Sequence, residues 1–133
     1  ERMTAALDLA PDDGGLHEKA AVLALMREDP AVALSHARRA TELQPTSAPA
    51  WNHLGVALFL QGRLLEALEA WQRSVNLDGD QFDTLYNLGI KAAELGRPDL
   101  ARRALADFVA RAPRDRYAED LPRVRALLRE LGG

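Results

Sequence analysis

Shifted by 34 residues, the sequence falls into register with itself, and that period constrains the fold more than any other feature. Leu54 lands on Leu88, Gly55 on Gly89, Gly62 on Gly96 and Arg63 on Arg97. Ala33, Ala67 and Ala101 form one column, Leu9, Leu43 and Leu77 another, and Ala6, Ala40 and Ser74 a third. Pro11, Pro45, Gly79 and Pro113 close each unit with a residue that breaks a helix. Units of this kind bury their apolar faces only against neighbours, so the period implies a stacked array.

The same columns carry a family likeness. Trp51, Leu54 and Gly55, then Leu58, Gly62, Ala67, Trp71 and Ser74, with Gly79 at the break, make one copy of a pattern. Leu85, Leu88, Gly89, Gly96, Ala101, Leu105, Phe108 and Pro113 make a second. An earlier copy is weaker, with Ala21 at the Gly55 position and Glu28 at the Gly62 position, but Ala33, Ala37, Ala40 and Pro45 keep its register. This pattern resembles the tetratricopeptide repeat signature over about residues 1–115. The resemblance implies an all-α fold, a right-handed α-solenoid of helix-turn-helix 34-residue repeats with a C-terminal capping helix. Its divisions would be the second helix of a truncated preceding repeat (1–12), three repeats (14–47, 48–81, 82–115) and the cap (116–133).

Each column has a physical reason. Two antiparallel helices within a repeat approach closely where the residues are small, at Gly55, Gly89, Ala67 and Ala101, while Trp51, Leu54, Leu58 and Trp71 fill the remaining volume. Gly62 and Gly96 stand where a first helix ends and a positive φ is needed. Pro30 and Pro98 open second helices, where a missing N–H costs nothing, and Asp29 is placed to cap the first of these. First helices are expected at about 15–28, 48–61 and 82–95, and second helices at about 30–43, 64–77 and 98–111.

The ends break the rhythm. Ala6, Leu9 and Pro11 fit a second helix whose partner is missing, which would leave Met3 and Leu7 poorly covered, so the native chain is expected to continue N-terminally. The start at Glu1, without an initiator Met, agrees with an excerpt. At the other end Pro122 would fall inside a fourth first helix, where proline costs ~3 kcal/mol. Leu121, Val124, Leu127, Leu128 and Leu131 instead form one apolar stripe, opposed by Arg123, Arg125, Arg129 and Glu130, as a capping helix requires. The start of that helix, near Tyr117 or after Asp120, stays open at this level.

Chemistry is hard to find. There is no cysteine, which removes disulfides, thiolate metal sites and cysteine nucleophiles. His17, His36 and His53 follow no metal-binding spacing, Asp78-Gly79-Asp80 is too short for a calcium loop, and no serine has a base in a recognisable motif. Asp78-Gly79-Asp80 reads instead as a helix stop followed by a cap for the next helix. No catalysis, metal or cofactor is therefore expected. A net charge of −3 argues against nucleic acid, and no apolar run is long enough to span a membrane. The compartment is not encoded here. Fifteen arginines to two lysines suggest a high-GC bacterial gene.

The expected role, a protein-binding module, comes from the resemblance, in which first helices line a concave groove. That geometry assigns to the groove Glu18, Val22, Leu25 and Met26, then Asn52, Val56, Phe59 and Leu60, then Tyr86, Ile90, Ala93 and Glu94. A familiar use of the fold is a basic clamp for a peptide carboxylate. Its positions fall here on Glu18, Val22, His53, Asp83 and Asn87, so an apolar or basic partner segment is expected instead. Two other roles are open: a structural or regulatory appendage of a larger enzyme, docking in cis, and homo-oligomerisation through the exposed N-terminal half-repeat.

Overall fold

The computed structural model describes residues 12–132, and the helix expected over residues 1–10 lies outside them. Seven helices follow, with no strand among the described residues: α1 (Gly14–Met26), α2 (Pro30–Leu43), α3 (Ala48–Leu60), α4 (Leu64–Leu77), α5 (Phe82–Glu94), α6 (Pro98–Arg111) and α7 (Asp120–Glu130). They form an all-α helical-repeat fold in two compact units, which divide after Leu77.

Local chemistry explains the boundaries. The Asp13 carboxylate accepts from the Leu16 N–H (3.0 Å), Asp29 from Val32 (3.3 Å) and the Ser47 hydroxyl from Ala50 (3.2 Å), so three helices start on side-chain caps. Gly62 and Gly96 take φ of 76° and 73° directly after first helices. Glu28 holds the equivalent place at φ 56°, a left-handed conformation that costs a residue with a Cβ about 1 kcal/mol. The Asp78–Asp80 segment departs from expectation. Asp78 accepts from the Asp80 N–H (2.9 Å) and from Gln81 Nε2 (3.1 Å), while Gln81, not Asp80, precedes α5 and caps it with no side-chain bond. Asp80 instead pairs with Arg111 at the end of α6.

In the first unit α1 packs on α2, α2 on α3 and α3 on α4. Ala33, Ala40 and Ala67 of the periodic columns are fully enclosed, as are Ala37 and Ala57. Ser74 replaces alanine in its column without penalty because its hydroxyl donates to the Ala48 carbonyl at 2.7 Å. The Gly55 column is a contact: a Cβ there would lie 2.4 Å from Cδ1 and Nε1 of Trp71, which is 2% exposed.

The second unit packs α5 on α6 and α6 on α7. Its core is aromatic, with Phe108 between Tyr86 (ring centroids 5.6 Å apart) and Tyr117 (5.0 Å, edge-on). The cap helix begins at Asp120, so Pro122 sits in its first turn, where no intrahelical N–H bond is lost. The turns before it are not spare linker: Tyr117 is 5% exposed, and its ring also meets Phe82 edge-on. Of the expected stripe, Leu121, Val124 and Leu128 are buried and Leu127 and Leu131 half-buried.

Candidate functional site

In the first unit the candidate positions divide into core and surface. Leu25 is half-buried and packs against the enclosed Ala24, Ala33 and Ala57. Phe59 is half-buried against the Trp71 indole, 5.9 Å between ring centroids. Met26 and Leu60, one period apart at the ends of α1 and α3, stand 76% and 55% exposed. Val22 and Val56, also one period apart, are half-buried. A trough of about 450 Å³ runs along α1, lined by Gly15, Glu18, Lys19, Val22, Leu23 and Met26. The spacing of these residues, every three or four positions, sets them on one helix face.

One polar pair bridges the two first helices. Nε2 of His53 on α3 lies 3.7 Å from Oε1 of Glu18 on α1, with each side chain 24% exposed. Burial pushes the His53 pKa below its usual value, and the neighbouring Glu18 carboxylate pulls it part of the way back. At neutral pH the imidazole is therefore uncharged. Among the described residues Glu18 has no lysine or arginine partner. Asn52, beside His53 in sequence, keeps a buried Oδ1 that accepts no hydrogen bond from the described residues.

A second histidine contact lies between α1 and α2, where Nδ1 of His17 and Nδ1 of His36 are 3.0 Å apart. One ring must donate and the other accept, so protonating both is disfavoured; burial, then His17, hold the His36 pKa below its usual value. No group of three or more metal-ligating side chains occurs among the described residues. The opposite face of α3 carries a smaller hollow, about 300 Å³, floored by Trp51, Leu54 and Leu58 and rimmed by Arg38, Glu66, Glu69 and Arg73. There the Arg73 guanidinium stacks 5.0 Å from the Trp51 ring centroid, and the Trp51 indole N–H donates to the Pro45 carbonyl.

In the second unit, Tyr86 is wedged between Phe108 and the Arg123 guanidinium, 6.0 Å above its ring. Ile90 and Ala93 are half-buried, and Glu94 is exposed beside Lys91 (3.5 Å). Asp83 is engaged by the turn before α7: it accepts from the Tyr117 hydroxyl at 2.7 Å and from Arg116 at 3.4 Å. Burial first, then this bond, push the Tyr117 pKa up to about 12. Sequence reasoning missed Tyr117, whose only signal was an isolated aromatic in a charged stretch.

With this geometry in place, comparison with known proteins identifies the repeat. Residues 18–81, just under half of the chain, match the tetratricopeptide repeat family model, and this match together with the TPR-protein structural neighbours supports that family. Superkiller protein 3 of Schizosaccharomyces pombe is 29% identical over 94 residues, which is 71% of this chain and 7% of that protein. The chain therefore spans a small part of that relative's length. Among solved structures, MamA superposes with a TM-score of 0.81 at 23% identity, over 97% of this chain and 77% of that one. YrrB, described as a TPR protein with an unusual peptide-binding site, gives 0.74 at 24% identity over 83% and 57%. The first TPR of Spaghetti, bound to the HSP90 peptide SRMEEVD, gives 0.68 at 24% identity over 71% and 75%. At these identities the likeness is one of fold. No helix among the described residues is long and apolar enough to cross a membrane.

Proposed function

We propose that this chain is a non-catalytic protein-interaction module that seats a partner segment, an extended peptide or a helix, on its first helices. The observation that carries this reading is the pair of first-helix residues Met26 and Leu60, large, apolar, highly exposed and one period apart, with Met26 lining a mostly apolar trough along α1. Exposed apolar surface gathered at one register is the usual mark of an interaction site. Val22, Val56 and Glu18 extend the surface within the first unit; Tyr86, Ile90 and Glu94 stand at the corresponding register of α5. Peptide binding by YrrB and by the Spaghetti repeat supports the reading as precedent for the fold.

The test uses the exposed positions, because charge there does not attack the core. The double variant Met26→Glu, Leu60→Glu should lose capture of peptides selected against the native chain, with its thermal melt nearly unchanged. Undiminished capture by the double variant would refute the assignment.

A further inference from the structure

We propose that the groove of the first unit takes a cationic partner segment whose ammonium or guanidinium docks on Glu18, and that acidification releases it because His53 then claims the same carboxylate. The inference rests on the groove reading above and names the partner chemistry and the regulation of that site.

The charge complementarity begins with Glu18. Its carboxylate lines the apolar trough with Val22 and Met26, and among the described residues it is neutralised by no lysine or arginine. A lysine or arginine of a partner would lay its methylene stem along Val22 and Met26 and bring its charge to Glu18, the arrangement such amphipathic side chains favour. A partner carboxylate would meet repulsion at the same point. Lys19, exposed on the next residue of α1, is the other charge lining the trough, so the lining is neutral overall and the cation docks on the Glu18 carboxylate itself, not in an acidic field.

The release mechanism follows from His53. It is the only ionisable residue within Ala48–Leu60. Glu18 of α1 is the charged group that acts on it. Arg38 of α2 and Glu66, Glu69 and Arg73 of α4 gather around Trp51, Leu54 and Leu58 on another face of α3, while Arg39 of α2 pairs with Asp12. With His53 neutral, the Glu18–His53 pair carries one negative charge and attracts a cation. Once His53 is protonated the pair is neutral overall, and the imidazolium, 3.7 Å from the carboxylate, competes with the incoming group. Burial places this protonation below the ordinary histidine value, with the Glu18 carboxylate opposing the shift.

The experiment pans a displayed library of random peptides on the full chain at about pH 7.5. Affinities of the recovered peptides are then read by fluorescence anisotropy at about pH 7.5 and 5.5. Circular dichroism at both values verifies that the helices persist. The expected peptides carry lysine or arginine among apolar residues and bind about tenfold more weakly at the lower pH, the scale of one charge-assisted contact. Glu18→Gln should abolish both the cation preference and the pH dependence. His53→Gln should bring the ratio of the two affinities to about one. Recovery of neutral or acidic peptides that still require Met26 and Leu60 would overturn the cation claim and leave the groove standing. Acid release that persists in His53→Gln would overturn the switch. Peptides indifferent to the Met26→Glu, Leu60→Glu pair would overturn the groove reading and this inference together.

Discussion

Replacing Gly55 with alanine should destabilise the protein, although glycine within a helix is normally a liability. Removing a mid-helix glycine gains roughly 0.5–1 kcal/mol. At this site the new methyl group would lie 2.4 Å from Cδ1 and Nε1 of Trp71 and 2.9 Å from Cε2. Ordinary carbon contacts lie at ~3.5–4.0 Å, so the indole or the helix must move by about an ångström. The indole has little room, being buried and packed against Phe59. Overpacking of this kind costs about 1–3 kcal/mol, so the net loss should centre on about 1 kcal/mol and reach at most about 2.5 kcal/mol. Guanidinium unfolding followed by tryptophan fluorescence measures it directly, as a lower midpoint at unchanged slope. Because both tryptophans, Trp51 and Trp71, belong to the first unit, the probe reads the region perturbed. A Gly55→Ala variant as stable as the native chain would refute the close-approach argument.

The remaining predictions concern other points of strain or protonation. Glu28→Gly should stabilise by about 0.5–1 kcal/mol in thermal unfolding, because it relieves a left-handed residue that Gly62 and Gly96 hold without strain. Tyr117→Phe keeps the aromatic packing but loses the bond to Asp83, costing about 1 kcal/mol near neutral pH. Since the folded Tyr117 pKa is raised to about 12 from 10.0, native stability should fall as pH climbs from 10 to 12, and Tyr117→Phe should flatten that fall. The His36 pKa is lowered in the fold, so its contribution is complete above 6.5 and lost as pH drops through its folded value. Denaturation midpoints measured from neutral to mildly acidic pH should decline, and less steeply in His36→Gln.

The middle of the array was legible because its signals are local and repeat. Pro30, Pro98, Asp29 and the alanine columns place the second helices, which run Pro30–Leu43, Leu64–Leu77 and Pro98–Arg111 as expected. First helices end one or two residues earlier than expected; Glu28, expected inside the first of them, is left-handed and lies beyond α1, as Gly62 and Gly96 lie beyond α3 and α5. What the period could not carry is what crosses it. Tyr117 lies past the last full unit, and its partners Phe82, Asp83 and Phe108 belong to earlier helices, so nothing near it in sequence announces burial. That same turn and α7 explain why Tyr86 is less free than its register suggested: Arg123 covers it. The Glu18–His53 pair joins residues from successive first helices; their positions were visible but their contact required the packing of α1 and α3.

The central claim is that a partner sits on the first helices, and amide chemical-shift mapping tests it most directly. Titrating a selected peptide into isotope-labelled protein should move the signals of Glu18, Val22 and Met26 on α1 and of His53, Val56 and Leu60 on α3. Those of Arg38, Glu69 and Arg73, around the hollow on the other face of α3, should stay in place. Shifts concentrated at Arg38, Glu69 and Arg73, with the α1 and α3 residues unmoved, would contradict the account.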